Sequence, residues 1–280
     1  MFEIKIMTRN DIDFATGLTK IEKWANSKTD FERLIKLNRY GSFVAHKDNM
    51  RVGIITTVIF GELAFVGNLI VSAKYRGRGI GRALMEQALM YLGEQKDIAT
   101  IEIDGDFPVI ELYRKLGFRD KYLSFRFCRK PADCSGGEIE AGIVDPVEIN
   151  EIDKRLIDTP MITRAKFLAE FVNLHNGQIY VTGGNIVTAY SIIRKCSGDY
   201  YVLGPTMAGT AKDAELLIES IIGNYDSEVI YAGVPEINRT AVAIMLCNGF
   251  NYEQPSLRMY LGERIDYEKN IYTIISGDVG

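Results

Sequence analysis

The stretch YRGRGIGRALM, residues 75–85, places three glycines and three arginines directly before an apolar run with helical spacing. Glycine leaves the backbone unshielded by a side chain, and the first N–H groups of a helix have no partner within the helix. Exposed N–H groups and cationic side chains at a helix start favour an anion, above all a phosphate. The stretch therefore predicts a phosphate-binding loop followed by a helix.

The spacing of the glycines argues against two common phosphate loops. A dinucleotide-binding loop requires G-x-G-x-x-G, but Arg82 stands at the third glycine position after Gly77 and Gly79. A Walker loop requires Gly-Lys followed by Ser or Thr, and these residues are missing here. Residues 76–81 fit R-x-x-G-x-G instead.

The residues on either side of the loop predict a mixed α/β fold. Upstream, the patterns indicate one strand, helices at 10–24 and 29–39, and three strands joined by turns at 48–49 and 61–62. Downstream, they indicate strand 100–104, helix 109–117 and strand 122–127. The predicted order is β-α-α-β-β-β-α-β-α-β.

The second half of the chain repeats the first at a constant offset of 132 residues. The matches pair Gly117 with Gly249, Leu84 with Leu216, and residues 124–127 with 256–259. One offset across three separated stretches indicates an internal duplication. We therefore expect domains at 1–130 and 147–280, joined by a Pro-, Gly- and Ser-rich linker at 131–146.

The duplication provides an internal comparison for the glycine loop. At the offset of 132, Gly79 falls opposite Ala211 and Gly81 falls opposite Asp213. Thr210 is suited to cap the second helix, and a carboxylate near its positive end repels a phosphate. We therefore expect one anion site per chain, in the first half.

The charge is distributed unevenly between the two halves. Residues 1–130 hold 22 Lys and Arg against 16 Asp and Glu, whereas residues 131–280 hold 11 against 21. Two interpretations remain open: different partners for two domains, or merely two solvated surfaces. The basic residues cluster at one helix start without interleaved aromatic residues, which argues against nucleic-acid binding.

The composition of 280 residues, 47% of them hydrophobic, is that of a globular protein. No apolar run approaches the roughly 20 residues of a membrane span, and no signal peptide is evident, so we expect a cytoplasmic protein without membrane contact. The cysteines are irregularly spaced, which predicts buried free thiols rather than disulfides or a metal site. They are Cys128, Cys134, Cys196 and Cys247.

The loop, the order of elements and the segment LYRKLGF at 112–118 together resemble the GNAT superfamily of acetyl-CoA-dependent N-acetyltransferases. The resemblance covers residues 1–130, and the second half looks like a degenerate domain of the same kind. It implies two tandem α/β (α+β) domains, each a mixed, twisted central sheet flanked by helices. It also implies acetyl-CoA as cosubstrate and no metal.

The resemblance further assigns roles to individual residues. The pyrophosphate would bind the N–H groups of Gly77, Gly79, Gly81 and Arg82, with charge from Arg76 and Arg78. The fourth and fifth strands would splay, so that the Val71 backbone binds pantetheine and the Leu69 N–H faces the thioester oxygen. Tyr113 matches the general acid, with a purely structural tyrosine as the alternative.

The acceptor side is less determined by the sequence. Glu102 and Asp104 share one face of their strand, and Asp104 is nearer the expected splay, which makes it the candidate base and substrate contact. Carboxylates of the second half could contribute if the two halves face each other. Trp24 either walls the acceptor site or belongs to the core. Asp106 stands where many family members have Asn.

Two functions from different classes remain open at this stage. The first is an N-acetyltransferase that moves acetyl from acetyl-CoA to a primary amine, in a small molecule or a peptide, by direct attack in a ternary complex. The second is a non-catalytic acetyl-CoA or CoA sensor or protein-interaction module. Tyr113 beside an intact loop favours the enzyme, and the sequence determines neither the acceptor nor the oligomeric state.

Overall fold

The computed structural model describes residues 1–131, 146–175, 177–183, 186–196 and 198–280, apart from the side chains of 146–147 and 173–175. The predicted linker at 131–146 therefore lies almost entirely outside the described residues, as does Cys134. Its boundaries remain a prediction.

The first half has the predicted order of elements. These are β1 (Glu3–Ile6), α1 (Ile12–Ile21), α2 (Lys28–Leu37), β2 (Phe43–Lys47), β3 (Met50–Phe60), β4 (Leu63–Val71), α3 (Ile80–Gly93), β5 (Thr100–Gly105), α4 (Ile110–Lys115) and β6 (Arg119–Arg129). Helix α1 is shorter than predicted at both ends. At its start, Asp11 forms a capping box with Thr8. At its end, Lys23 adopts a φ of 61°, which is incompatible with a right-handed helix.

The second half repeats this order from the helix pair onward. Its elements are α5 (Pro146–Ile157), α6 (Ala165–His175), β7 (Gln178–Thr182), β8 (Ala189–Lys195), β9 (Tyr201–Ala208), α7 (Ala211–Asn224), β10 (Ile230–Pro235), α8 (Arg239–Cys247), β11 (Asn251–Gly262) and β12 (Ile271–Thr273). The predicted fold class is thus confirmed: two similar α/β units follow each other in the chain.

The offset of 132 holds at the helix ends but not inside the helix after the loop. Gly117 and Gly249 both follow a helix with positive φ, 94° and 77°. The pairing of Leu84 with Leu216 is wrong, because Leu84 is buried while Leu216 is 38% exposed. Adjacent helical residues point about 100° apart, so the buried Leu217 is the core equivalent of Leu84.

The two halves exchange strands within one sheet. The strand order is β1-β2-β3-β4-β5-β11-β6-β10-β9-β8-β7, with β12 paired to β9. Strand β11 of the second half lies between β5 and β6 of the first, and β6 lies between β11 and β10 of the second. The duplication therefore separates the halves in sequence but not in the sheet.

Apolar helix faces cover both sides of this sheet. Helices α1, α2, α5 and α6 contribute to one core that joins both halves, for example through Phe31 and Phe171. Helices α3 and α4 cover a second core in the first half, and α7 and α8 cover a third in the second half. The joint core places the segment after β12 beside β4, where Ile275 and Phe65 belong to one cluster.

The thiol prediction is correct only in part. Cys128 is buried, Cys196 is half-buried, and all three described cysteines are free. Cys247 is exposed, because it is the last residue of α8 on its solvent side. Among the described helices, none has the length and apolar character needed to cross a membrane.

Candidate functional site

Strands β4 and β5 separate after three residue pairs. They pair in parallel from Leu63 with Thr100 to Phe65 with Glu102, and β4 then continues to Val71 with no described strand paired to it on that side. Antiparallel pairing with β3 also becomes irregular there, and Asn68 adopts a φ of 52°. A bulge of this kind re-aims backbone groups, and here it lies at the opening between the two strands.

The backbone of Val71 faces this opening. Val71 lies opposite Gly53 in β3, and the Ser72 N–H donates to the Val52 carbonyl, so Val71 and Gly53 form a pair that is not hydrogen-bonded. The N–H and carbonyl of Val71 therefore point away from β3. Leu69 follows the bulge, and both side chains are half-buried against the core under α3.

The glycine loop leaves open space at the start of α3. Gly77 and Gly79 have φ values of 73° and 78°, and an added Cβ on either would meet no atom within 4 Å. Glycine is thus required by the left-handed backbone rather than by crowding. Gly79 is the N-cap residue of α3. Bare backbone, a helix N-terminus and free space together fit a pyrophosphate group.

The three arginines of the loop have partners within the protein. Arg76 donates through Nε to the Val71 carbonyl at 2.9 Å and forms an ion pair with Glu22. Arg82 lies 2.8 Å from Glu86, one helical turn away. Both pairs are substantially exposed, so exchanging these carboxylates for a phosphate has little cost.

Arg78 contacts an aromatic ring rather than a carboxylate. Its guanidinium lies 5.5 Å from the ring centre of Tyr75, and Lys47 Nζ lies 5.9 Å from the same ring. Lys47, at the end of β2, adds a cation to the loop. Nothing in its sequence surroundings distinguishes it from other surface lysines.

The corresponding helix start in the second half is occupied by its own side chains. Thr210 caps α7, accepting a hydrogen bond from the Asp213 N–H at 3.2 Å and donating to its carboxylate at 2.8 Å. Asp213 is the third residue after that cap, as Arg82 is after Gly79. Counted from the cap, Asp213 thus stands where Arg82 does, whereas the buried residues of the two helices match at Leu84 and Leu217, so no single offset aligns α3 with α7.

Tyr113 lies in α4 beside the end of β5. Its side chain is 4% exposed, and its ring covers Gly105 so closely that an added Cβ there would lie 2.8 Å from Cε2. Burial, and then the charge of Asp106, raises the pKa of Tyr113 well above its ordinary value. Its hydroxyl stays protonated at neutral pH. Met245 is fully buried at the corresponding place.

Asp104 is close to the splay, as expected, but its charge is matched. Its side chain is 1% exposed, and Arg258 of β11 donates to Oδ2 at 3.3 Å. Arg258 also donates to Glu102 at 3.3 Å. The Oδ1 atom of Asp104 has no hydrogen-bond partner among the described residues. The sequence interpretation missed Arg258, which lies 154 residues away.

A buried ionic network extends from Glu102 across the exchanged strands. Lys121 of β6 lies 2.6 Å from Glu102 and also pairs with Glu268, while the Tyr267 hydroxyl donates to Glu102 at 2.8 Å. Burial raises the pKa of Glu268, and Lys121 opposes this effect. The network joins β5 to β6 and to residues 267–268 of the second half.

Asp106 differs from its counterpart Asn238. Asn238 caps α8 by accepting from the Ala241 N–H at 3.0 Å, whereas the Asp106 side chain caps no backbone group. It accepts instead from Arg126 at 3.2 Å. Burial raises the pKa of Asp106, Arg126 lowers it, and the charges of Asp104 and Glu22 raise it further.

The loop between α1 and α2 reaches the same region. Trp24 is half-buried against the core that contains Phe65 and Ile275, so it remains a candidate for either role. Asn26, two residues later, donates to Asp278 at 2.9 Å.

Residues 274–280 of the second half lie over the face of β4 that carries Phe65 and Gly67. An added Cβ on Gly67 would lie 2.5 Å from the Asp278 carbonyl oxygen, and Gly280 contacts the Phe65 ring. An added Cβ on Gly277 would lie 3.6 Å from Asp104 Oδ2. No sequence signal marks this segment as part of a site, because SGDVG has only the composition of an ordinary turn.

Within the described ranges, no three His, Cys, Asp or Glu side chains are grouped to hold a metal ion.

Two family models match the chain, and both are described as an acetyltransferase (GNAT) domain. One matches residues 38–120 and the other residues 153–273. An uncharacterised N-acetyltransferase from Methanocaldococcus jannaschii is 28% identical over 141 residues, 43% of this chain and 62% of that protein. A histone acetyltransferase from Glycine max is 40% identical over 55 residues, 20% of this chain and 23% of that protein. The chain thus spans less than two thirds of these relatives.

Solved structures share the tandem fold. A protein from Pyrococcus horikoshii, described as a candidate acetyltransferase, has a TM-score of 0.83 at 20% identity, covering 100% of this chain and 96% of that one. A tandem GNAT protein from the clavulanic acid biosynthesis pathway has a TM-score of 0.64 at 16% identity, covering 95% and 100%. At these identities the likeness concerns the fold alone.

Proposed function

This chain belongs to the GNAT acetyltransferases and carries two such domains in tandem; from that premise we propose that its first half transfers an acetyl group from acetyl-CoA to a primary amine. The amine belongs to a small molecule or a peptide. The observation that carries the proposal is the backbone of Val71, whose N–H and carbonyl point away from β3. The chain continues from Val71 into the open glycine loop, and the Val71 side chain packs against the core that contains Tyr113.

The residues around the opening fit acetyl-CoA. The N–H groups of Gly77, Gly79, Gly81 and Arg82 would hold the pyrophosphate, with Arg76 and Arg78 adding charge. The Val71 backbone would hold the pantetheine arm in the manner of an added strand. When bound, acetyl-CoA supplies the activated acetyl thioester.

The remaining roles follow from what direct transfer to an amine requires. The Leu69 N–H would donate to the oxygen that gains negative charge as the amine attacks. The Tyr113 hydroxyl, kept protonated by burial and by Asp106, would deliver a proton to the departing sulfur. Asp104 keeps one oxygen without a partner and remains the candidate proton acceptor, although Arg258 holds the other.

The second half is proposed to have no cofactor site of its own. Its helix N-terminus is occupied by the Thr210 and Asp213 side chains, and Met245 replaces the tyrosine. Its contribution would instead be structural and on the acceptor side, through β11 and residues 274–280.

The test is thiol release from acetyl-CoA with amino acids, polyamines, aminoglycosides and peptides as acceptors. Amine-dependent release, with the acetylated amine identified by mass spectrometry, supports the enzyme. Tight binding of acetyl-CoA without release by any acceptor would support a non-catalytic sensor instead.

A further inference from the structure

Asp278 forms no salt bridge with a described residue, and its hydrogen-bond partners are neutral. Its carboxylate accepts hydrogen bonds from Asn26 Nδ2 at 2.9 Å, Asn68 Nδ2 at 3.0 Å and Ser276 Oγ at 2.6 Å, all from neutral groups. The buried Arg33 pairs with Asp30 and interacts with Asp278 only at longer range, and Arg194 donates to the Ile275 carbonyl at 3.4 Å. A half-buried carboxylate that is hydrogen-bonded only by neutral groups favours a cationic ligand.

Two further acceptor atoms next to residues 277–278 have no hydrogen-bond partner among the residues that the structure describes. Asn68 is 2% exposed, and its orientation is fixed because Nδ2 donates both to Asp278 and to Thr56 Oγ1, at 3.1 Å. This leaves Asn68 Oδ1 buried and unpaired, and the same is true of Asp104 Oδ1. Buried polar atoms normally find a partner, so these oxygens indicate a missing donor.

The three groups require a ligand of a particular kind. All of them accept hydrogen bonds, and Asp278 is a carboxylate whose hydrogen-bond donors are all neutral. A primary ammonium group has three donors, no acceptor and a positive charge. A carboxylate or phosphate ligand has no hydrogen to donate, and a neutral hydroxyl has one donor and no positive charge.

The position of this group fits the acceptor of the proposed reaction. Asn68 immediately precedes Leu69, the candidate oxyanion donor, and the Asp278 backbone contacts Gly67. Gly277, in the same segment, lies beside the Asp104 side chain. The acceptor atoms therefore lie beside the stretch of β4 that would face the thioester.

We propose that residues 276–278 complete the acceptor site, and that Asp278, with Asn68 and Asp104, binds the acceptor amine in its ammonium form. The inference rests on the proposed acetyl transfer and adds its substrate class: primary amines that are cationic at neutral pH. Asp278 is in this view a binding residue contributed by the second half, whereas Tyr113 and Leu69 act on the transfer itself.

The decisive variant is Asp278→Asn, which keeps the shape and can still accept from Asn26 and Asn68. Its matched control is Glu263→Gln, which removes the same charge from an exposed residue at the far end of β5. Asp278→Ala, which introduces no new donor, replaces Asp278→Asn if the latter fails to show a cooperative thermal transition. Acetyl-CoA affinity, measured by titration calorimetry, should be unchanged in each variant.

Benzylamine and p-toluidine serve as paired acceptors, because they are isomers and only benzylamine is cationic at neutral pH. We expect Asp278→Asn to raise KM for benzylamine about 10- to 100-fold, the scale of a charged hydrogen bond, and to change KM for p-toluidine less than about threefold. An equal effect on both amines, a loss confined to kcat, or the same loss in Glu263→Gln would overturn the proposal.

A binding measurement separates this proposal from the proposed function. Cadaverine is titrated into CoA-saturated wild-type and Asp278→Asn protein, without any turnover. Weaker binding by the variant alone supports the ammonium site even if no acetyl transfer is found. Equal binding by both proteins, or no binding by the wild type, overturns the ammonium site, while amine-dependent thiol release would still support the transferase.

Discussion

The Arg258 guanidinium and the Asp104 carboxylate form a buried ion pair at 3.3 Å, although the two residues belong to opposite halves of the chain. They lie directly opposite each other where β11 pairs with β5. The exchange of strands thus brings a cation of the second half beside the catalytic region proposed for the first. Stability and acceptor-site geometry are therefore coupled through one pair of strands.

Removing Arg258 should destabilise the whole chain. Arg258→Met leaves Asp104 and Glu102 without this cation in a buried setting, and breaking such a pair costs about 3–5 kcal/mol. Urea unfolding should show this loss as a single transition that includes both halves. The double variant with Asp104→Asn should lose less than Arg258→Met alone, and a loss below about 1 kcal/mol for the single variant would contradict the coupling.

The glycine loop before α3 is expected to be the phosphate site of the chain, and its positive charge is expected to be needed for binding. We expect one acetyl-CoA per chain by titration calorimetry, and Arg82→Asp should weaken binding about tenfold or more, because it creates at α3 the carboxylate that Asp213 places at α7. Asp213→Asn is the matched control and should leave the affinity unchanged. Two equivalent sites, or full affinity in Arg82→Asp, would exclude the loop as the phosphate site.

The variant Tyr113→Phe tests whether Tyr113 acts as a general acid or only packs its ring in the core. The ring would still cover Gly105, so acetyl-CoA affinity should hardly change while kcat falls about 10- to 1,000-fold. Tyr40→Phe, on an exposed tyrosine, provides the control. Full turnover by Tyr113→Phe would leave Tyr113 with a packing role only.

Asp106 should make stability depend on pH. Burial raises the folded-state pKa of Asp106 more than Arg126 lowers it. The contribution of Asp106 to stability is therefore complete at acid pH and is lost as the pH rises through that pKa. Asp106→Asn cannot ionise and should be more stable than the wild type at pH 8, with the difference vanishing near about pH 4.

Thermal unfolding of both proteins at the two pH values measures this difference. Asp266→Asn, on a side chain that is 66% exposed, removes the same charge as a control and should show no comparable gain. A stability difference between Asp106→Asn and wild type that stays constant from acid to alkaline pH would contradict the prediction.

Local sequence patterns predicted the order of elements and the glycine loop, because both depend on nearby residues. The exchange of β6 and β11 was not predictable in this way. The two strands share Ser-x-Arg at 124–126 and 256–258, so either could fill either position in the sheet. Only long-range pairing, with Arg258 beside Asp104, decides between them.

The acceptor side of the site also depends on long-range contacts that local sequence patterns do not predict. Asp104 was identified from strand alternation, but it forms a buried ion pair with Arg258, which no local pattern connects to it. Asp278 lies in a turn-like segment, and its contacts with Asn26 and Asn68 span 252 and 210 residues. A site between duplicated halves depends on contacts between residues far apart in the sequence, and the periodicity of apolar residues does not predict such contacts.

The central claim is that the first half transfers acetyl to a primary amine with the second half completing the acceptor side. Amine-dependent release of CoA thiol, followed across the acceptor set with equal amounts of acetylated amine found by mass spectrometry, tests it most directly. The account predicts release that needs a primary amine, is strongest with cationic acceptors, and falls in Tyr113→Phe. Acetyl-CoA binding at one site per chain without release by any amine would contradict it.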